Sequence, residues 1–326
     1  MKTKLKKFWD YIKKHLKGLN KAICFICKKH HKFYPIILFD IIWCYMRYGT
    51  SYTEYRVFDY CLLDGKRRDS YLNVNRHRKL DKYLFHKKKH LLLNNNKEIF
   101  KSLDELLKRD IYNIKDISFK EFEVLALDKK DILCRGNKNE FKVFHLKDFR
   151  SPAFMLEKIK NEKLFWVEGA LKQHKTLNEV IDEYSFISVV STYDGKEADI
   201  VASSIKVNDG EGGKLTGYID IKTGKVKANF RDDSGNIFTE HPLTKYKFKD
   251  LEIPRFKEVI ELVKKAQCKF PNIREIEWHL YISSNKVIIL GANIWDDYNF
   301  IQIGEYLKNR IGLMPYYEEL IRKIKY

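Results

Sequence analysis

Apolar residues recur at helical spacing in the first part of the chain. Residues 2–22 alternate lysines with an apolar stripe, and residues 34–48 form a second, more apolar stretch that ends at Gly49. Spacings of three and four residues place side chains on one face of a helix, and glycine commonly follows a helix C-terminus. The pattern predicts two helices, the first with the stripe Leu5, Phe8, Trp9, Ile12, Leu16 and Leu19.

The pattern changes near residue 121, where short runs rich in β-branched residues begin. Such runs, separated by turn residues, predict strands. We expect strands at residues 131–135, 142–146, 164–168, 186–192, 199–207, 217–221, 276–282 and 286–290. Helical spacing predicts further helices at residues 97–107, 255–268, 300–310 and 315–325. The predicted fold class is therefore α+β, with a helical N-terminal region.

Positive charge is concentrated in the first hundred residues. The chain has 63 Lys and Arg against 44 Asp and Glu, and residues 1–100 contain 24 of the former against 8 of the latter. This asymmetry indicates an anionic partner for the first part of the chain. The partner could be nucleic acid, an acidic membrane surface or a phosphorylated ligand. The alternative interpretation is a solvated basic face that binds no partner.

The sequence lacks the signals of membrane insertion or secretion. The most apolar run, residues 35–46, is short and contains Asp40, whereas ~20 mostly apolar residues are needed to cross a bilayer. The basic N-terminus is not followed by the apolar core of a signal peptide. The six cysteines are scattered, which is typical of reduced thiols. We expect a cytoplasmic protein, with peripheral binding to the inner face of the membrane as an extension of that hypothesis.

The spacing of residues alone identifies few candidate binding or catalytic sites. The Gly-rich loop at residues 208–213 follows a predicted strand, so its N–H groups suit a phosphate, although an ordinary tight turn is the simpler interpretation. Glu168 ends an apolar strand, where a carboxylate accepts a hydrogen bond from a ligand or caps the next helix. No Ser/His/Asp or Cys/His set has catalytic spacing. By themselves, the residues indicate a ligand-binding α+β protein.

Several segments resemble, in one order, the landmarks of the sugar-transfer-associated ATP-grasp family. Residues 39–55 look like the helical front of that family, and residues 96–100 are similar to its DK..F segment. Residues 166–174 resemble its EE.I.QH segment. The remaining matches are residues 220–224 to ID..TG, 241–244 to HP.T, 253–254 to IP, 276–282 to GWD.A.T and 289–293 to IEGN. The resemblance covers about residues 35–305.

This resemblance implies an ATP-grasp fold, in which ATP binds between two α+β subdomains. It implies ATP and Mg²⁺ as cofactors, activation of a carboxylate as an acyl phosphate, and attack by an amine or hydroxyl nucleophile. It also implies a place in surface-polysaccharide or sugar-transfer pathways. By position, Lys97, Arg135 and Lys206 would contact phosphate, with Lys206 the catalytic cation, and Glu168 would lie near the adenine or ribose. Asn293 would help to hold Mg²⁺.

The sequence departs from the family at its metal-binding carboxylates. His279 replaces the Asp of the WD segment, and Gly291 replaces the Glu of the EGN segment. The NT.R segment of the family is replaced at residues 187–190. Glu277 alternates with His279 along one predicted strand, so the two side chains share a face. We therefore predict Glu277 as a substitute metal ligand beside Asn293, with Glu275 and Asp296 as alternatives.

Three functional hypotheses follow. The first is an ATP-dependent ligase-like enzyme, and the second is a catalytically inactive ATP-grasp-like binding protein. The third, a nucleic-acid-binding protein, explains only the charge, because no helix-turn-helix, zinc-finger or RNP signature is present.

The predicted domains are a basic, mainly helical region at residues 1–92 and an ATP-grasp-like domain at residues 93–326, with a subdomain linker near residues 166–175. The implied partners are ATP, an unidentified carboxylate and acceptor, and an anionic membrane surface that contacts residues 1–92.

Overall fold

A computed structural model defines the fold, and the chain divides into two compact units. The first unit comprises Met1–Leu84 and Asp296–Tyr326, and the second comprises Phe85–Trp295. The residues that the structure describes are 2–85, 99, 102–107, 110–136, 141–162, 164–170, 172–181, 185–227, 229–232, 235–249, 251–295, 298–304 and 306–325. The predicted domain boundary between residues 92 and 93 lies outside these described residues, so that division stays a prediction.

Helices form most of the first unit and flank the sheets of the second. The α-helices are α1 Lys2–His30, α2 Tyr34–Tyr48, α3 Tyr52–Val57, α4 Gly65–Asp69, α5 Val74–Leu84, α6 Asp104–Leu107, α7 Phe119–Lys129, α8 Pro152–Asn161, α9 Lys175–Val180, α10 Phe256–Cys268, α11 Tyr298–Ile301 and α12 Met314–Lys325. Short 3₁₀ turns occur at Tyr60–Leu62, Leu146–Asp148 and Lys308–Arg310.

In the described part of the chain, the strands lie in the second unit. They are β1 Tyr112–Asn113, β2 Asp131–Arg135, β3 Phe141–His145, β4 Trp166–Gly169, β5 Phe186–Tyr193, β6 Ala198–Asn208, β7 Lys214–Tyr218, β8 Phe230–Arg231, β9 Ile237–Phe238, β10 Glu275–Ile282 and β11 Val287–Asn293. A small sheet has the order β1-β4-β2-β3, and a large sheet has the order β11-β10-β5-β6-β7-β8-β9. Their paired strands are antiparallel. The predicted α+β class is confirmed.

The sequence patterns identify most elements, although the strand expected at residues 217–221 is β7 Lys214–Tyr218. The helix expected at residues 97–107 falls partly outside the described residues, and its described part contains α6. The helix predicted at residues 34–48 has those bounds, and Gly49 adopts the left-handed conformation (φ 72°) that ends it. The helix expected at residues 300–310 is wrong in extent. Among the described residues of this span, α11 ends at Ile301 and a 3₁₀ turn covers Lys308–Arg310, where Asn309 and Arg310 have the left-handed conformation that ends a helical path.

Asp40 is the polar residue that interrupts the apolar run of α2, and it anchors the first unit. Arg68 donates two hydrogen bonds of 2.7 Å to its carboxylate, and the Tyr55 hydroxyl donates a third. Such bidentate charge-assisted bonds are among the stronger polar contacts in proteins. Asp40 therefore orients α2 on the aromatic core that contains Tyr55, Phe58 and Tyr60.

The C-terminal segment belongs to the same unit as the first 84 residues. The Gln302 amide donates to the Leu72 carbonyl (2.8 Å) and accepts from the Leu72 N–H (2.9 Å). The Gly312 N–H donates to Ser70 Oγ at 2.8 Å. These hydrogen bonds attach residues far apart in sequence to one helical core.

The small sheet has one apolar face and one mixed face. Ile132, Cys134, Phe144 and Val167 pack in a core with the helices α7 and α8. The opposite face presents Leu133 and Val143, which pack with Tyr281, Ile288 and Leu290 of the large sheet. Alternation along β2 therefore decides which side chains of the small sheet face the large one.

None of the helices in the described part of the chain has both the length and the apolar composition that a bilayer-spanning segment requires.

The environments of the cysteines predict a clear order of reactivity. Cys24 and Cys268 are exposed, whereas Cys44 and Cys134 are buried. Burial raises the pKa of Cys44 to about 12 and raises the pKa of Cys134 well above its ordinary range. Because the thiolate is the reactive form, we expect alkylation of the native protein to modify Cys24 and Cys268 and to spare the other two. Mass spectrometry of peptides checks this order, and native-state labelling of Cys44 as fast as Cys268 would contradict it.

Candidate functional site

The two faces of the large sheet have different chemistry. On one face, Trp278 donates through Nε1 to Ser191 Oγ (2.8 Å), and Ser191 donates to Gln267 of α10 (2.7 Å). That face is covered by α10. The residues that alternate with Trp278 and Ser191 point to the other face. This second face carries Glu277 and His279 of β10, Ser188 of β5 and Lys206 of β6, and we call it the polar face.

Ser188 is the centre of a hydrogen-bonded cluster on the polar face. Its hydroxyl donates to Glu277 Oε1 at 2.7 Å and lies 3.2 Å from His279 Nδ1. A hydroxyl has one proton, so His279 Nδ1 must carry a hydrogen and donate to Ser188 Oγ when that proton is given to Glu277. In the neutral imidazole, Nε2 is then the basic nitrogen.

Lys206 and Asn293 complete the polar face around Glu277. The Lys206 ammonium lies 3.9 Å from Glu277 Oε1, and Lys206 keeps 27% of its side chain exposed, against 6% for Glu277. Asn293 lies directly opposite Glu277 in the β10–β11 ladder. Three of the residues predicted from the sequence, Lys206, Glu277 and Asn293, therefore come together on one surface.

The edge strand β11 contains a β-bulge next to Gly291, the position at which the sequence resemblance implies a carboxylate. His279 pairs with Gly291 and Leu280 pairs with Ile289, so Leu290 is the extra residue. A bulged residue lies outside the regular ladder, and the Leu290 carbonyl accepts a hydrogen bond from the Arg135 guanidinium. Gly291 brings no side chain to this position. The nearby carboxylate comes from Glu277 on the neighbouring strand.

Arg135 and Glu168 form a buried ion pair on the mixed face of the small sheet. They lie diagonally across β2 and β4, because Arg135 is opposite Trp166 and Leu133 is opposite Glu168. Their side chains are 1% and 6% exposed and contact each other directly. The sequence resemblance implies that both contact ATP. In the structure, they contact each other, and Arg135 links the pair to β11 of the large sheet.

Lys97, the remaining predicted phosphate contact, lies outside the described residues. Sequence reasoning did not single out Ser188, although a small polar residue within the apolar run at residues 186–190 is a visible signal. Within the described residues, no group of three or more His, Cys, Asp or Glu could hold a metal ion. Glu277 and Asn293 supply one carboxylate and one amide. That donor set suits Mg²⁺ bound jointly with a phosphorylated ligand, because Mg²⁺ commonly takes one or two carboxylates plus phosphate oxygens and water.

The Gly-rich loop at residues 208–213 forms a turn closed by its own side chains. Asn208 Oδ1 accepts from the Gly210 N–H at 2.7 Å, and Asp209 Oδ1 accepts from the N–H groups of Glu211 and Gly213 at 2.8 Å. These three N–H groups are therefore already paired within the loop. The tight-turn interpretation describes this loop better than a phosphate cradle.

Comparison with known proteins gives a family match over half of the chain. The sequence profile described as sugar-transfer associated ATP-grasp matches residues 147–314. No curated protein has a significant match to the chain.

The chain is also similar to several solved structures. The ATP-grasp ligase PsnB, complexed with minimal precursor, is 11% identical over 73% of this chain and 64% of that chain, with a TM-score of 0.43. D-alanyl-alanine synthetase A from Vibrio cholerae is 10% identical over 72% and 65%, with a TM-score of 0.42. Carboxyaminoimidazole ribonucleotide synthase from Aspergillus clavatus, complexed with ATP, is 9% identical over 68% and 51%, with a TM-score of 0.41. The chain thus spans 64%, 65% and 51% of the lengths of these three proteins.

Proposed function

The chain belongs to the sugar-transfer-associated ATP-grasp family, and from that membership we propose that it binds ATP on the polar face of the large sheet. The observation that carries the proposal is the grouping of Lys206 of β6, Glu277 of β10 and Asn293 of β11 on one face of the large sheet. A triphosphate needs cations to balance its charge, and a metal ion that bridges its oxygens needs hard oxygen ligands. The polar face supplies both kinds of group within one cluster.

The proposed roles follow from charge and exposure. Lys206 would contact the phosphates and stabilise charge on the transferred phosphoryl group. Glu277 and Asn293 would hold Mg²⁺, which supplies charge neutralisation when it is bound. Arg135 and Glu168 balance each other's charge, so their main role would be to position the small sheet over the nucleotide. Lys97 would add a second cation.

The reaction that fits this arrangement is ATP-dependent ligation. A substrate carboxylate would take the γ-phosphoryl group of ATP, which gives an acyl phosphate and ADP. An amine or hydroxyl nucleophile would then attack the acyl carbon, lose its proton and displace inorganic phosphate. We place this reaction in surface-polysaccharide or sugar-transfer pathways and in the cytoplasm, at the inner face of the membrane, where residues 1–92 would contact anionic lipid.

One observation favours a second candidate, a binding protein without catalytic activity. The sequence resemblance implies a bridging carboxylate at the position of Gly291 and a second acidic ligand at the position of His279, and neither residue has a carboxylate. Two metal ions bridging a triphosphate require more carboxylates than Glu277 alone provides. A protein with this site would bind nucleotide through Lys206 and would not turn it over.

Calorimetric titration with ATP, with and without Mg²⁺, tests these proposals. A higher affinity for ATP in the presence of Mg²⁺ supports the ligase. An affinity that is the same with and without Mg²⁺ supports the inactive binding protein. Absence of ATP binding would contradict both.

We expect Lys206→Met to weaken ATP binding about fivefold, because a partly exposed ion pair contributes up to ~1 kcal/mol. Titration of this variant beside Lys214→Met, which removes an exposed lysine on the neighbouring β7, measures the effect. Equal affinities for the two variants would contradict the role of Lys206.

A further inference from the structure

The outer surface of α2 is apolar along its length. Ile37, Ile41 and Cys44 are buried in the core of the first unit. On the other side, five large apolar side chains are between 45% and 70% exposed: Ile36, Phe39, Ile42, Trp43 and Met46. At 3.6 residues per turn these five lie opposite the buried stripe. We call them the α2 apolar face.

This composition is unusual for the outer side of a surface helix. A helix packed on a core normally has polar and charged residues opposite its buried stripe. Single exposed apolar residues are common, but a contiguous group of them marks an interaction site. Trp9 and Leu16 of α1 are exposed as well, so the stripe predicted on α1 is not fully used in packing.

The charges around α2 indicate what kind of surface covers this face. Residues 1–48 contain 12 Lys and Arg but only two acidic residues, Asp10 and Asp40. The Asp40 carboxylate is already paired with the Arg68 guanidinium. Lys28 and Lys32 precede α2, and Arg47 lies in its last turn, whereas Lys29 is paired with Asp59. The apolar face is thus flanked by cations at both ends.

We propose that α2 lies in the interfacial plane of an anionic bilayer, with the α2 apolar face inserted among the acyl chains. The lysines of α1 and the segment before α2 contact the lipid phosphates. This inference deepens the membrane location in the proposed function, and it assigns the insertion to α2 rather than to the amphipathic stripe of α1. A second copy of the chain fits this face poorly, because it would bring two strongly basic segments together. An anionic bilayer has an apolar acyl-chain region directly beneath negatively charged headgroups, so it matches both the α2 apolar face and the surrounding cations.

Co-sedimentation of the full chain with vesicles tests the proposal. We expect binding to phosphatidylcholine vesicles that contain 30 mol% phosphatidylglycerol, and at least tenfold weaker binding to phosphatidylcholine alone. The triple variant Phe39→Gln, Trp43→Gln, Met46→Gln should bind the anionic vesicles at least tenfold more weakly. These side chains are exposed and glutamine is a good helix former, so the helix is retained. Vesicle binding equal to that of the unaltered chain would overturn the proposal.

A matched variant controls for general loss of hydrophobicity. Val124, Leu127 and Phe154 are similarly exposed on α7 and α8 of the second unit. Their triple replacement by glutamine should leave vesicle binding unchanged, and a loss equal to that of the α2 variant would overturn the assignment to α2. Self-association of the unaltered chain that the α2 variant abolishes, without vesicle binding, would also overturn it in favour of a second copy.

Depth of insertion separates burial in the acyl region from electrostatic adsorption. Brominated lipids should quench part of the tryptophan fluorescence of the bound chain. Trp43→Phe keeps the apolar volume, so it should retain vesicle binding while losing that quenching. Unchanged quenching would contradict insertion of α2. The α2 triple variant should bind ATP with the same affinity as the unaltered chain. This titration therefore distinguishes a failure of the membrane proposal from a failure of the nucleotide proposal.

Discussion

Arg135→Met should lower the free energy of unfolding of the second unit by about 3–5 kcal/mol, because it leaves a buried carboxylate without its partner. Arg135 and Glu168 are almost fully buried and contact each other, and Arg135 also donates to the Leu290 carbonyl. A buried charge that loses its counterion retains its full desolvation cost. Loss of the hydrogen bond to Leu290 adds a smaller penalty.

Urea unfolding measures this effect, and hydrogen exchange of the amides in β2, β4 and β11 assigns it to the two sheets. The double variant Arg135→Met, Glu168→Met should recover much of the loss, since an apolar pair of similar volume often replaces a buried ion pair at little cost. Lys158→Met is the matched control, because Lys158 of α8 is exposed and its 3.1 Å ion pair with the partly exposed Glu162 contributes at most ~1 kcal/mol. A loss below about 1 kcal/mol for Arg135→Met would contradict the importance of the buried pair.

Glu277→Gln should remove the effect of Mg²⁺ on ATP binding. We expect the affinity for ATP in the presence of Mg²⁺ to fall at least tenfold, which is about 1.4 kcal/mol, and to become the same with and without the metal. Glutamine retains the shape and an oxygen acceptor for Ser188 but loses the charge that a hard cation requires. Calorimetric titration of ATP into the variant provides the measurement.

Two further variants sharpen this test. Gly291→Glu, made in the Glu277→Gln background, moves a carboxylate from β10 to β11 beside Asn293 and should restore part of the Mg²⁺ effect. Glu275→Gln is the matched control, because Glu275 lies on the same strand opposite Thr192, away from Asn293. Retention of a full Mg²⁺ effect in Glu277→Gln would show that Glu277 is not the metal ligand.

The candidate site was partly predictable from the sequence. Alternation along one strand placed Glu277 and His279 on a common face, and both contact Ser188 in the structure. Lys206 and Asn293 came from motif positions in the family. The pairing of Arg135 with Glu168 was not predictable, because strand register depends on contacts between distant segments rather than on either strand alone.

The sequence by itself determined the local elements of this protein. Hydrophobic periodicity specified α2, and Gly49 specified its end, because both depend on the conformations of neighbouring residues. The basic composition of the first hundred residues is likewise independent of the fold.

Only the tertiary structure decided which side chains meet and which stay exposed. The bulge at Leu290, the ion pair beside it and the attachment of Gln302 to Leu72 all join residues that are remote in sequence. The α2 apolar face is visible only once the buried stripe of α2 is known. The physical reason is that burial and pairing are set by the packing of whole elements, whereas periodicity is set within each one.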